Sequence, residues 1–429
     1  MTTQSLSLGL NTIWVVLTAS MIFFMEGGFA LLEAGFVRAK NNVSILMKVF
    51  VDLIFGVLMF YSIGFGIMFG VDHFGLFGGN GFFLKGDMAH LGLSIPTDVF
   101  WLFQAAFAVA AISIVSGAVA ERTNFKAYIL YTLCMTAVIY PLSGHWIWGS
   151  NGWLENLGMK DFAGSAAIHA MAGFAALAAA RIVGARIGKF NEDGSVNPIA
   201  PSNLPLAAIG TFVLWFGWFG FNAGSTLNAT SANIGMIAAS TLLASASGGA
   251  SAMLYTLLKT GKADPGHTMN GVLAGLVAIT AGCAFVSLES SLLIGAFAGV
   301  LMIWATGWVE RKKVDDPVGA VAVHGFTGAF GAIAVGLFAT DGGLLTTGEW
   351  KLLGVQVLGT VVVCTWGYLS TTVALRLIEK LVPVRVTMEE ELVGLDLSYH
   401  GMAAYGGIGT EFESPSLEEP QVQREAGVL

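Results

Sequence analysis

The sequence predicts an all-α polytopic membrane protein: eleven transmembrane helices, with the N-terminus outside and the C-terminus inside. Three observations predict this. First, 55% of the 429 residues are hydrophobic and only 11% are charged, whereas a soluble domain is nearer a quarter charged. A chain this apolar has too little polar surface to dissolve, so lipid is its expected solvent. Second, eleven apolar segments are each long enough to cross a bilayer, which takes about 20 helical residues. Third, the basic residues fall almost entirely on one side of those segments. The composition excludes a nucleic-acid binder, a disordered chain and an ordinary cytosolic enzyme. The net charge of −8 argues against an anionic partner.

The spans are expected at 8–36, 43–70, 97–120, 125–144, 163–184, 204–226, 229–258, 269–286, 290–309, 318–339 and 352–381. The first has no basic segment before it and is too long for a secretory signal. The third carries Phe103 and Phe107, one helical turn apart. The fourth is followed by an outer loop with His145, Trp146 and Trp148. The fifth and tenth open on Asp161 and Asp316. The sixth ends outside with Trp218, Phe221 and Ser225, and divides from the seventh near Ser225–Thr230. The eighth and ninth divide near Val286–Ser290. With this count only Lys85, Lys160 and Lys351 fall outside, and the other 17 of the 20 Lys and Arg fall inside. Cytoplasmic loops attract Lys and Arg, so the orientation follows. A ten- or twelve-span count scrambles the asymmetry. The membrane domain then covers 1–381. Residues 382–429, with acidic runs at Glu389-Glu390-Glu391 and Glu418-Glu419, form a cytoplasmic tail expected to be loose beyond Glu411. Cys134, Cys283 and Cys364 lie inside apolar runs as small hydrophobes, so no disulfide, metal or cofactor framework is expected.

Two segments repeat one pattern. Asp161 is followed by Gly164, His169 and Gly173, and Asp316 by Gly319, His324 and Gly328, at identical spacings and 155 residues apart. The copies lie five spans apart, an odd number, so they enter the membrane from opposite sides. This is an inverted repeat of spans 1–5 and 6–10 plus an eleventh helix, with a site expected at midplane. Eight helical residues rise about 12 Å, which brings both histidines close to the middle of a roughly 30 Å hydrocarbon core. Asp161 and Asp316 are placed to cap helix N-termini. A single histidine in an apolar helix is most simply a core residue. Two placed symmetrically at midplane point to function.

Phe103 and Phe107 share one helix face, as do Trp218, Phe221 and Ser225. Aromatic rings with one hydroxyl and no nearby acid suit a small cation. The structural reading is an interfacial aromatic belt, which for any single ring is the simpler account. Glu26 and Glu33 share a face of the first span. They read as acids bonded to neighbouring helices at a subunit contact, outside the pore.

Five motifs can now be set together: Asp161-Phe-Ala-Gly…His169, Gly217-Trp-Phe-Gly-Phe-Asn-Ala-Gly-Ser225, Val314-Asp-Asp-Pro…Val323-His324-Gly, Gly117-Ala-Val-Ala-Glu-Arg122, and Gly394-Leu-Asp396…His400-Gly401. On these the sequence resembles the ammonium transporter family, the Amt/Mep/Rh proteins, and within it the Amt branch, over about residues 8–405. The resemblance implies eleven spans and a homotrimer with one pore per subunit in the inner (plasma) membrane. It assigns Trp148, Phe107 and Ser225 to an outer cation-recruitment site, and Phe107 and Phe221 to a pair of rings closing the vestibule. His169 and His324 correspond to the twin histidines of the pore. Asp161, and by the repeat Asp316, are implied to be structural or electrostatic, as is Trp218. The tail resembles a region that receives PII-type signalling proteins. Met402 stands where the family tail often carries Glu, and Gly319 where some members carry Asp.

The implied function is an ammonium transporter or channel, not an enzyme. Ammonium resembles a bare potassium ion in size, but it can lose a proton. A bare cation at midplane is costly. Ammonium is therefore expected to bind among the aromatic rings, give up its proton, and cross as ammonia along an apolar pore. The proton either stays behind or follows over the histidines. Two charged imidazoles side by side would add repulsion to desolvation, so the pair is expected to share protons as one unit. Two alternatives stand beside this: an ammonium sensor with little conduction, and a neutral gas channel of the Rh kind. A metal enzyme is disfavoured, since two histidines without a nearby third ligand make a poor site.

Overall fold

The computed structural model describes residues 2–405, and the stretch beyond Glu411 expected to be loose lies outside them. Eleven long helices follow in order: α1 (Thr3–Phe36), α2 (Ala39–Phe69), α3 (Thr97–Ala118), α4 (Phe125–Asn156), α5 (Ser165–Val183), α6 (Leu204–Gly224), α7 (Ile234–Thr260), α8 (Pro265–Ile279), α9 (Leu288–Arg311), α10 (Val321–Phe338) and α11 (Lys351–Glu379). All but α8 are long and apolar enough to cross a membrane alone. The sequence placed the eighth span at 269–286, but α8 has 15 residues, a rise of about 22 Å. Tight turns carry the chain on from its end, with Gly282 N–H donating to Ile279 O and Phe285 N–H to Gly282 O. The face rich in Lys and Arg is called inner below, following their partition in the sequence.

The expected helix starts at Asp161 and Asp316 shift. Winding begins at Ser165 and at Val321, in short π-wound stretches, Ser165–Ala170 and Val321–Phe326. Such widened turns cluster at functional positions. Ahead of α5 the chain is non-helical. There Phe162 and Ala163 donate their N–H groups to Ala281 O and Thr280 O, so the irregular backbone is satisfied by protein instead of facing lipid.

Each member of the repeated pattern has a physical task, and the two copies perform it alike. Asp161 accepts from the N–H groups of Gly164 (3.0 Å), Ala166 (2.9 Å) and Ala167 (2.8 Å). Asp316 accepts from Gly319 (3.1 Å), Ala320 (3.0 Å) and Val321 (2.7 Å). Each carboxylate thus satisfies the orphan donors of a half-helix. Gly164 (φ +113°) and Gly319 (φ +82°) take left-handed conformations, open mainly to glycine. A side chain of any size at Gly319 is strained, which accounts for glycine here. Gly173 and Gly328 lie where the two half-helices cross. A Cβ on Gly173 would stand 2.1 Å from Gly325 N, and one on Gly328 2.7 Å from Ser165 O. Backbone cannot yield as a side chain can, so Gly173→Ala is expected to lower stability by about 1–3 kcal/mol, read as a lower melting temperature in detergent.

The inner face is tied by buried ions. Arg186 holds both carboxylate oxygens of Asp315 (2.8 and 2.9 Å) and also bonds Glu121, which Arg38 shares. Burial pushes the Asp315 carboxyl up, but the Arg186 hydrogen bonds and the charges of Arg122 and Arg186 outweigh it and hold it at about 2. The buried Arg122 guanidinium donates to the carbonyls of Ala120, Gly184 and Asp315. The first part of the tail seats on this face as two short helices, α12 (Met388–Val393) and α13 (Leu395–His400). Thr387 and Glu390 form a capping box at the start of α12. Glu391 accepts from Ile187 N–H and Arg385 (both 2.7 Å), and Asp396 from Ser44 N–H (2.8 Å).

Candidate functional site

Aromatic side chains from three helices, α3, α4 and α6, converge. Phe107 (α3) and Phe221 (α6) are buried with ring centroids 4.4 Å apart. Trp148 lies 6.0 Å from Phe107, and Phe103 lies 4.8 Å from it. Outside the phenylalanine pair opens a cavity of about 200 Å³ lined by Phe103, Gln104, Phe107, Trp148 and Ser225. The structure therefore brings Trp148, Phe107 and Ser225 together around one cavity, with Phe221 against Phe107 at its floor.

Two placements differ from expectation. The stretch Tyr140–Trp148 is helical and belongs to α4, not to an outer loop. His145 is buried there, bonded to Met68 O (2.8 Å) and Asp72 (2.9 Å). Its tie is to an outer hairpin, and it contributes nothing to the cavity. Polar, turn-like neighbours hid this helix, because its helical partners lie far away in sequence. Trp218 is also deeper than the outer rings with which the sequence grouped it. Its indole N–H donates to Thr280 Oγ1 (2.9 Å), and its ring stacks on His169 at 5.2 Å.

The vestibule offers acceptors to a cation. Ser225 Oγ donates its own proton to Phe221 O (2.8 Å), so only its lone pairs remain for a ligand. Gln104 Oε1 is buried and has no partner. Gln104 was not among the expected site residues, although a lone amide in an apolar span is a signal the sequence carries. Trp148 Nε1–H donates to Asp161 O (2.7 Å), which fixes the indole against the capped entry of α5.

Below the phenylalanine pair stand the histidines. Their rings stack at 5.2 Å and 27°, with Nδ1 to Nδ1 at 3.2 Å. His169 also stacks on Phe221 at 5.5 Å, and His324 lies 6.4 Å from Phe29. Both are nearly buried. A bond between two Nδ1 atoms holds one proton, so one ring donates and the other accepts. In a neutral pair the accepting ring carries its proton on Nε2. His169 Nε2 is buried and unpartnered, free for a passing ligand. Two nitrogens cannot hold a metal ion alone, and among the described residues no group of three or more His, Cys, Asp or Glu is placed to do so.

Glu26 and Glu33 do not sit at an outer surface available to another subunit. Both are buried between α1 and α3, where Ser113 Oγ donates to Glu26 (2.7 Å) and Ser116 Oγ to Glu33 (3.0 Å). Glu33 moreover lines a cavity that also contains His324. Both acids are bonded to a neighbouring helix as expected; only the subunit contact differs, because a face shared by two acids on one helix does not say which surface receives it.

Comparison with known proteins points to one family. Residues 13–405 match the model described as Ammonium Transporter Family. Ammonium transporter Amt2 of Archaeoglobus fulgidus is 42% identical over 430 aligned positions, covering 95% of this chain and 91% of that protein. A solved structure titled Sensor Amt Protein superposes with a TM-score of 0.88 at 41% identity, covering 92% of this chain and 99% of the other. The crystal structure of Candida albicans Mep2 gives 0.82 at 29% identity, covering 89% and 87%.

Proposed function

Because this chain belongs to the ammonium transporter family, we propose that it moves ammonium across the plasma membrane by splitting it into ammonia and a proton at the histidine pair. One observation carries the reading: a base pair of imidazoles, 3.2 Å apart, lies directly beneath a closed pair of phenyl rings. Ammonium is recruited among Trp148, Phe107 and Ser225 by cation–π attraction and a hydrogen bond to Ser225 Oγ. The buried rings of Phe107 and Phe221 strip its remaining water. In that dry space a full charge is costly, and an imidazole nitrogen takes the proton. Potassium pays the same desolvation without this exit, so it is rejected. Ammonia continues along apolar wall, and the proton follows over the pair. Asp161 and Asp316 position the half-helices, and Trp218 holds the His169 ring.

We take 1–381 as the transport domain and 382–429 as a regulatory tail, with three copies forming the working assembly. A PII-type protein acting at the tail would press on α12 and α13, whose contacts to Lys40, Ser44 and Ile187 tie the inner end of α2 to the link between the two halves. A second reading, a sensor that binds ammonium and conducts little, is favoured by one finding: the similarity to the structure titled Sensor Amt Protein. A neutral gas channel fits less well, since a neutral gas has no use for Trp148 and Ser225 as placed.

The deciding experiment is the current across a supported membrane holding purified protein after an ammonium pulse, with potassium as control. A saturable current specific to ammonium is expected. Bound ammonium without current, and without alkalinisation inside vesicles, leaves the sensor reading in its place. Trp148→Ala is expected to raise the half-saturating ammonium concentration about five-fold, equivalent to roughly 1 kcal/mol of cation–π attraction. An unchanged concentration dependence would remove Trp148 from the recruitment site.

A further inference from the structure

Resting on the reading that ammonium is split at the histidine pair, we propose that Glu33 is the proton acceptor on the inner side of that pair. The site is a small cavity that His324, Glu33, Ser113 and Asn270 line together with Phe29 and Val318. It offers about 20 Å³ to the centre of a water-sized molecule, room for one ammonia or one water. Glu33 is 1% exposed. Ser116 Oγ donates to its Oε2, and among the described residues no hydrogen bond holds Oε1. One way on from the cavity leads inward through shared walls. Asn270 and Val318 also border the inner vestibule, of about 430 Å³, where Asp316 and Asp264 lie. Asn270 donates to Val318 O (3.1 Å), while its Oδ1 is buried without a partner.

The surroundings allow Glu33 to change charge. Lys48, buried on α2, donates to Ser116 O (3.1 Å) and lies beside the same serine. One turn along α3, Ser113 Oγ reaches both Glu26 (2.7 Å) and Asp52 (3.3 Å). One hydroxyl proton cannot serve two carboxylates at once, so a further proton must reside among them. Asp52 also accepts from Tyr128 and Thr132. Among the described residues bonded around Ser113 and Ser116, three buried acids therefore stand with one buried lysine, Lys48. A dry interior does not hold that imbalance of charge unless protons are present to correct it.

The step balances simply. An imidazolium N–H bond of the pair breaks and an O–H bond forms on the Glu33 carboxylate, leaving the pair neutral for the next ammonium. Glu33 then returns the proton, by way of the inner vestibule, to ammonia or water there. Without this acceptor, ammonia can cross but its proton is stranded on the pair.

The test uses full-length protein in liposomes, with E33Q, E33D and S116A. Ammonium current and internal alkalinisation are recorded in parallel, with infrared difference spectra on adding ammonium. E33Q should lower the current about ten-fold or more, a general acid–base effect, while ammonia entry continues. E33D should recover most of the current, and S116A should reduce it less than E33Q. A carboxyl C=O band responding to ammonium in the wild type should vanish in E33Q. A folded E33Q whose current stays within about two-fold of wild type overturns the proposal, as does a loss of current and ammonia entry together that E33D does not rescue. In the wild type, no current and no alkalinisation overturn the splitting mechanism of the preceding subsection and this inference with it, and alkalinisation without current overturns this inference alone. Normal wild-type current with an indifferent E33Q overturns the inference alone.

Discussion

Replacing both His169 and His324 by alanine is expected to lower the ammonium current by about two orders of magnitude, the usual worth of a positioned general base. The pair is one unit: a single Nδ1–Nδ1 bond at 3.2 Å joins the rings. His169 is held between Trp218, Phe221 and His324. Removing His169 alone takes away the nitrogen nearest the phenylalanine pair. It also leaves His324 without its partner, so the single variant should cost nearly as much as the double. Effects of residues that act as a unit do not add. The enlarged pore of the double variant admits water, which lowers the cost of a bare cation, so any residual current should discriminate less against potassium. Parallel pulses of ammonium and potassium on supported membranes read both effects. Single and double variants that keep full current and wild-type selectivity would refute proton transfer at the pair.

Asp161→Ala carries the second large effect. Its carboxylate accepts three backbone N–H groups of the buried α5 entry. Alanine leaves all three without a partner in a place water does not reach. Each unsatisfied donor costs about 1–3 kcal/mol, so a loss of at least about 3 kcal/mol is expected. The transport defect should exceed what unfolding explains. Asp161 O also receives the Trp148 indole N–H, and winding of α5 through Ser165–Ala170 sets His169. A displacement of about 1 Å at such a site can cost 10²-fold. Asp161→Asn keeps one acceptor oxygen and should fall between. Melting temperature and current, measured on one preparation, check the two effects, and wild-type stability in Asp161→Ala would show that the cap is dispensable.

Much of this was legible in the sequence because the information is periodic or repeated. Hydropathy marks spans, since a lipid-facing backbone must satisfy itself within each helix. The spacing from Asp through Gly and His to Gly occurs twice, and a pattern that recurs at fixed offsets needs no knowledge of neighbours. That spacing alone placed His169 and His324 together at depth. Gly173 and Gly328, noted only as part of the pattern, prove to be the points where the half-helices cross.

Other features depend on which surfaces meet, and a single strand of sequence does not encode that locally. The eighth span was drawn too long because its terminal turns are as apolar as a helix. The tryptophan at 148 read as loop because the residues before it are polar, yet His145 finds its partners at Met68 and Asp72, more than seventy positions away. Trp218 was grouped with the outer rings by helical spacing, which gives a face but not a depth. Glu33 reads as lying outside the pore because its partner Ser116 and its cavity neighbour His324 come from the third and tenth helices.

By itself, then, the sequence determined the class of protein, the succession of long apolar helices, the one-sided placement of basic residues, the repeat, and the pairing of two histidines. All of these follow from composition, period and spacing, which are properties of the chain. Only the tertiary structure decided that the histidines meet through Nδ1, that Trp218 braces one of them, and that a buried acid shares a cavity with the other. These are contacts between helices far apart in the chain, and their distances are set by close packing of side chains, which no local pattern records.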